Sequence, residues 1–99
     1  MKDIHTESVE RLFKVIAELR TVEECYSFFQ DVCTVNEILD MAQRFDTAVM
    51  LYNGENYINV TQKMGISTAT ISRVNKCLQK GNGGYRSAIE KLKAAEKKD

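Results

Sequence analysis

The stretch from Tyr57 to Lys76, YINVTQKMGISTATISRVNK, narrows the architecture more than any other part of the chain. Apolar residues at Val60, Met64, Ile66, Ile71 and Val74 have the spacing of a short helix, a turn at Gly65 and a second helix beginning just after Ser67. A turn of three or four residues between helices crossing at about 90 to 120° calls for a residue with positive φ, which glycine adopts without steric cost. Ser67 can cap the second helix, its hydroxyl accepting from a backbone N–H that has no partner within the helix. The spacing therefore predicts a helix-turn-helix over about residues 57–79. Past the cap, Thr68, Ala69, Thr70, Ser72 and Arg73 form a small, polar, positively charged surface. Small side chains let a helix enter the major groove, where hydroxyls reach phosphates or base edges and methyl groups touch thymine. Glycine-punctuated helix pairs also occur in helical domains that never meet DNA, so spacing alone does not separate the two.

Charge does. From Asn56 to Ile89 there is no Asp or Glu, while Lys63, Arg73, Lys76, Lys80 and Arg86 all fall in that window. The first 55 residues hold eleven acids against five bases, so the formal net charge of zero hides a polar division of the chain. A local cationic face is what attraction to phosphate requires, and Lys63, Arg73 and Lys76 are its candidate phosphate contacts.

The rest of the sequence reads as helix. Ninety-nine residues make one domain with a modest core, and the chain lacks proline and any sustained strand-like alternation. Its apolar runs are short and MKDIHTES lacks the apolar segment of a signal peptide, so the expectation is a cytoplasmic protein with no membrane partner. Three cysteines, Cys25, Cys33 and Cys77, without C-x-x-C spacing point to reduced thiols rather than a disulfide framework or a metal site.

Glu7 to Leu19 places Val9, Leu12, Phe13, Ile16 and Leu19 on one helical face. Thr21 with Glu24, and Thr34 with Glu37, have the spacing of capping boxes that open a second and a third helix. The second carries Tyr26, Phe28 and Phe29, whose place in the acidic half suits a core or a dimer interface better than base stacking. The third runs to about Tyr52 and is apolar around much of its circumference, including Val35, Leu39, Met41, Phe45 and Val49. A chain this short has few neighbours to cover such a helix, so it is expected at the centre of a homodimer with interlocked chains. Asn53-Gly54 ends it. Gly81-Asn82-Gly83-Gly84 reads as a flexible break before a last helix from about Tyr85, and residues 94–99 as a frayed tail.

With ECYSFFQDVCTVNEI, AQRFDTAVML, GISTATISRV and CLQKGNGGY in that order and at those spacings, the chain resembles the Trp repressor superfamily, in particular its YerC/YecD-type Trp-repressor-like proteins, from about Glu23 to Leu92. The resemblance implies an all-α fold of six helices in an intertwined homodimer, with the fourth and fifth as the helix-turn-helix. It also implies repression of transcription by binding double-stranded operator DNA, two reading helices lying about one turn apart on a near-palindrome. By position, Ser67, Thr68, Ala69, Thr70 and Ser72 open the reading helix. The family's amino-acid co-repressor pocket maps onto Thr34, Arg44 and Arg73, the arginines suiting a carboxylate. Val74 stands where the tryptophan-binding repressor has glycine and would fill space an indole needs. Cys77 stands in place of a serine and is a poorer acceptor for the ligand's ammonium. These departures argue against tryptophan as effector, so no cofactor is expected, and Arg44 and Arg73 are expected to pair with acids such as Asp40 or, for Arg73, to meet phosphate. Tyr57, Ile58 and Thr61 replace more polar and basic residues, and the loop after Gly54 is one residue shorter, which leaves the operator sequence open.

No catalytic constellation is apparent. His5 is alone, and GNGG lacks both a preceding strand and a following Lys-Ser/Thr, so an enzyme is not expected. The rival expectation is a helical module that keeps the fold but docks on a protein through Tyr57, Ile58 and the fifth helix.

Overall fold

In a computed structural model, which describes residues 2–97, six helices follow one another: α1 (Glu7–Ala17), α2 (Val22–Val32), α3 (Val35–Tyr52), α4 (Tyr57–Met64), α5 (Thr68–Lys80) and α6 (Gly84–Lys97). The described residues contain no strand. They fall into two compact units, Met1–Ile38 and Leu39–Asp99, whose boundary lies within α3.

In the first unit the helix starts are made by local hydrogen bonds. Thr6 caps α1 by accepting from the Val9 N–H at 3.1 Å, and Glu7 and Glu10 place negative charge on its first turn. Thr21 accepts from the Glu24 N–H at 3.1 Å, while its hydroxyl donates to the Glu24 carboxylate at 3.3 Å. Thr34 and Glu37 form the complete reciprocal box: the Glu37 N–H donates to the threonine hydroxyl at 3.1 Å and the Thr34 N–H to the glutamate at 2.8 Å. Phe28 and Phe29 meet edge to face with centroids 5.4 Å apart. Neither α1 nor α2 has a buried residue, although both are amphipathic. α1 ends two residues earlier than the apolar pattern predicts, with Leu19 outside the helix.

The second unit holds the core. Ala48 of α3, Val74 and Leu78 of α5 and Ile89 of α6 are buried together, with Phe45, Val49, Leu51, Tyr52 and Tyr85 packed on them. Val60 and Ile71 are also fully buried, one on each helix of the pair. Of α3 itself only Thr47 and Ala48 are buried, the Thr47 hydroxyl donating to the Gln43 carbonyl at 2.8 Å. Apolar residues nearer its start stay open, with Leu39 60% and Val35 70% exposed.

Tyr52, at the end of α3, is a hub for α6. Its hydroxyl reaches Glu90 at 3.4 Å, and its ring lies under Arg86 and Lys93 with cation-to-centroid distances of 5.8 and 5.1 Å. Lys93 also donates to the Asn53 side chain. The glycine segment expected to be a flexible break is a short bend between α5 and α6, bounded by a hydrogen bond at each helix end: the Gly81 N–H donates to the Cys77 carbonyl at 2.9 Å, and the Gly83 carbonyl accepts from Ser87 at 3.0 Å. α6 continues through Ala94 and Ala95, both good helix formers, to Lys97, while residues 98 and 99 of the expected frayed tail lie outside the described residues.

Candidate nucleic-acid interface

Three short-range devices shape the helix pair α4–α5. Asn56 caps α4, its side-chain oxygen accepting from the Asn59 N–H at 2.9 Å. This cap was not among the sequence expectations, although its signal is local: an asparagine just ahead of the first helical residue. Gly65 has φ 66° and donates its N–H to the Thr61 carbonyl at 2.8 Å, so the left-handed residue closes α4 and turns the chain. Ser67 then caps α5, accepting from the Thr70 N–H at 3.2 Å, with the two hydroxyls 3.1 Å apart.

Residues selected from the sequence take different places on this scaffold. Thr68, Ala69, Ser72, Arg73 and Lys76 are exposed on α5. Ser67 and Thr70 are engaged with each other at the helix start, and Thr70 is half-buried. Lys63, on the last turn of α4, bonds Glu55 at 2.8 Å, and that carboxylate is largely withdrawn from solvent, with 26% of its side chain exposed. A lysine held this way has one of its three donors committed before any phosphate arrives. Arg86, also in the acid-free window, is tied to the end of α5: it donates to the Leu78 carbonyl at 3.0 Å and to Gln79 at 2.9 Å. It satisfies a carbonyl that the helix end leaves free.

Arg73 and Lys76 differ from both. Among the described residues neither forms an ion pair, and both project from α5 into solvent. Helices α1, α2 and α3 each carry an acid in the first turn, whereas α4 and α5 carry none. The partial positive charge at the start of α5 is therefore not offset by a carboxylate on its own first turn, and a helix start in that condition favours an anion.

The residues of the candidate co-repressor pocket take their places within their own units. Thr34 spends its hydroxyl on the α3 cap. Arg44 is exposed on α3, and the expected pairing of Arg44 or Arg73 with Asp40 does not occur among the described residues, where no ion pair includes either arginine. Arg73 and Cys77 are one turn apart on α5. Cys77 lines a cleft of about 350 Å³ with Phe45, Tyr85 and Ala88 and the glycine turn, and neither arginine lines it. Val74 is 3% exposed and committed to the core.

At the far end of the chain, Asp3 accepts from the His5 backbone N–H at 2.9 Å and lies 2.7 Å from its ring. The backbone hydrogen bond first, and the ring second, hold the Asp3 carboxyl below the usual carboxylate range.

Comparison with known proteins bears on this surface. The family described as Trp repressor protein matches residues 7–93. The chain is 47% identical over 88 residues to the uncharacterised protein YerC of Bacillus subtilis (strain 168), covering 89% of this chain and 85% of that protein. Among solved structures, a TrpR-like protein from Eubacterium eligens ATCC 27750 superposes with a TM-score of 0.85 at 49% identity, covering 90% of this chain and 92% of the other. A candidate Trp repressor from Staphylococcus aureus superposes with the same TM-score at 41% identity, covering 94% and 96%.

Proposed function

This chain belongs to the Trp repressor family, and we propose on that premise that it is a sequence-specific regulator of transcription, a repressor, which binds double-stranded operator DNA in the cytoplasm as a homodimer. The observation that carries this reading is the face of α5: Thr68, Ala69, Ser72, Arg73 and Lys76 exposed, both cations without an ion-pair partner among the described residues, and no acid on its first turn or on that of α4. Small residues near the helix start suit entry into the major groove, and the cations suit phosphates on either side of it. The Lys63–Glu55 pair leaves Lys63 a lesser role than Arg73 or Lys76.

Dimerisation is supported by the apolar surface that the single chain leaves uncovered. α1 and α2 bury nothing fully, and α3 presents Val35 and Leu39 to solvent. Apolar side chains left open in this way suit an interaction face. Two copies related by a twofold axis would also set two α5 helices on successive turns of one near-palindrome.

The regulator works without tryptophan in this reading. Val74 occupies core volume beside Arg73, and Thr34 is occupied by its own capping bond. Selection from random duplex oligonucleotides, with and without L-tryptophan, tests the function directly. A near-palindromic site enriched in both arms is the expected result. Enrichment only with tryptophan would overturn the effector-free reading, and no enrichment in either arm would count against operator binding.

A further inference from the structure

One part of the helix pair is unlike its cationic surroundings. Ile58, on the first turn of α4, is 69% exposed, although the two helices bury Val60 and Ile71 completely. It lines an apolar notch with Tyr57, Thr61, Gln62 and Thr68. Thr68 is the first residue of α5, so the notch adjoins the end of the helix that leads into a major groove. Isoleucine has nothing to offer a phosphate. The one apolar group that B-DNA displays in its major groove is the C5 methyl of thymine.

We propose that Ile58 is a specificity-determining residue, and that the notch it forms with Thr68 receives the methyl group of a thymine at a fixed position of each half-site. The inference rests on the assignment of α5 as the DNA-reading helix and deepens it. Charge complementarity selects DNA over a protein as occupant. The window from Asn56 to Ile89 has no acid, and among the described residues Arg73 and Lys76 stand unpaired on the same helix pair, so a polyanion is the partner this surface attracts. Within that polyanion the notch supplies what the cations cannot, a preference among bases. Cytosine places an amino donor on its groove edge and carries no methyl, and uracil presents every hydrogen-bonding group of thymine without the methyl. Replacing thymine by uracil therefore isolates this contact from all others.

The test uses the full chain and a duplex that it binds, with each thymine replaced in turn by deoxyuridine. Dissociation constants are measured by fluorescence anisotropy for the wild type, Ile58→Ala and Ile58→Val. The expected result is a loss of about three- to tenfold for the wild type at one thymine in each half-site. Ile58→Ala should bind the thymine duplex more weakly by a similar factor and ignore uracil at that position, while Ile58→Val retains part of the discrimination. Because Ile58 is exposed, all three proteins should melt alike, which separates a lost contact from a lost fold. Uracil tolerated by the wild type at every position, or a sensitivity unchanged in Ile58→Ala, overturns the proposal and leaves the notch to a protein partner. A wild type that binds no duplex overturns the DNA-reading assignment itself, and this inference with it.

Discussion

Gly81 shows how much one side chain of this protein matters by its absence. A Cβ built there would sit far inside contact distance of the Cys77 carbonyl oxygen, which accepts the Gly81 N–H that closes α5. That neighbour is backbone and cannot swing aside as a flexible side chain could. Gly65 is demanding for a different reason: its surroundings are open, and its φ of 66° is what a side chain would resist. Gly81→Ala is therefore expected to destabilise the fold by about 1–3 kcal/mol through strain at the end of α5, measured by thermal or denaturant unfolding. Unchanged stability would mean that the turn can shift at little cost. The glycine run suggests flexibility when read as letters, because composition does not say which glycine faces a carbonyl. Cap residues are more legible. Thr21, Thr34 with Glu37, and Ser67 all bond an N–H three residues ahead, so donor and acceptor lie within one window of sequence.

The acid-free window from Asn56 to Ile89 divides its cations between architecture and solvent. Arg86 closes the end of α5 from α6, Lys63 holds Glu55 eight residues back, and Arg73 and Lys76 remain available. All of them count equally as positive charge in composition, and only the fold distinguishes them. Arg73→Ala and Lys76→Ala should each weaken binding to all duplexes and lower the slope of log affinity against log salt by about one. Lys63→Ala should change the slope less, since its ammonium is already partnered. Thr68→Ala and Ser72→Ala should instead shift the preferred base at one or two positions. A titration series across salt concentrations reads all five variants, and equal slopes for Lys63→Ala and Arg73→Ala would count against this division. The separation of the groups explains why part of the surface was legible and part was not. Ser67, Thr68 and Ala69 follow from a cap and a helix period, whereas the Lys63–Glu55 pair depends on where the loop after α3 places a carboxylate.

Across the whole molecule the balance of buried and open apolar surface points to association. Leu39 is 60% exposed on α3, and few large side chains among the described residues are wholly out of solvent. Leu39→Glu should thus be tolerated by a single copy of the 11.3 kDa chain yet oppose assembly, since it would bring charge into an apolar contact. Sedimentation equilibrium is expected to give twice the chain mass for the wild type and a shift toward one chain mass for the variant, with affinity for a palindromic duplex falling alongside. A wild type that sediments as a single chain would remove the dimer. Hydrophobic period, capping residues and the position of a turn glycine are local quantities, and with them the sequence alone determined six helices, the turn in the α4–α5 pair and the asymmetry of charge. Which cations remain free and that Ile58 stands open beside Thr68 were decided only by tertiary structure. Those outcomes depend on groups 8 to 41 residues apart in some cases, such as Lys63 with Glu55 and Tyr52 with Lys93, and on burial, which no local window of sequence contains.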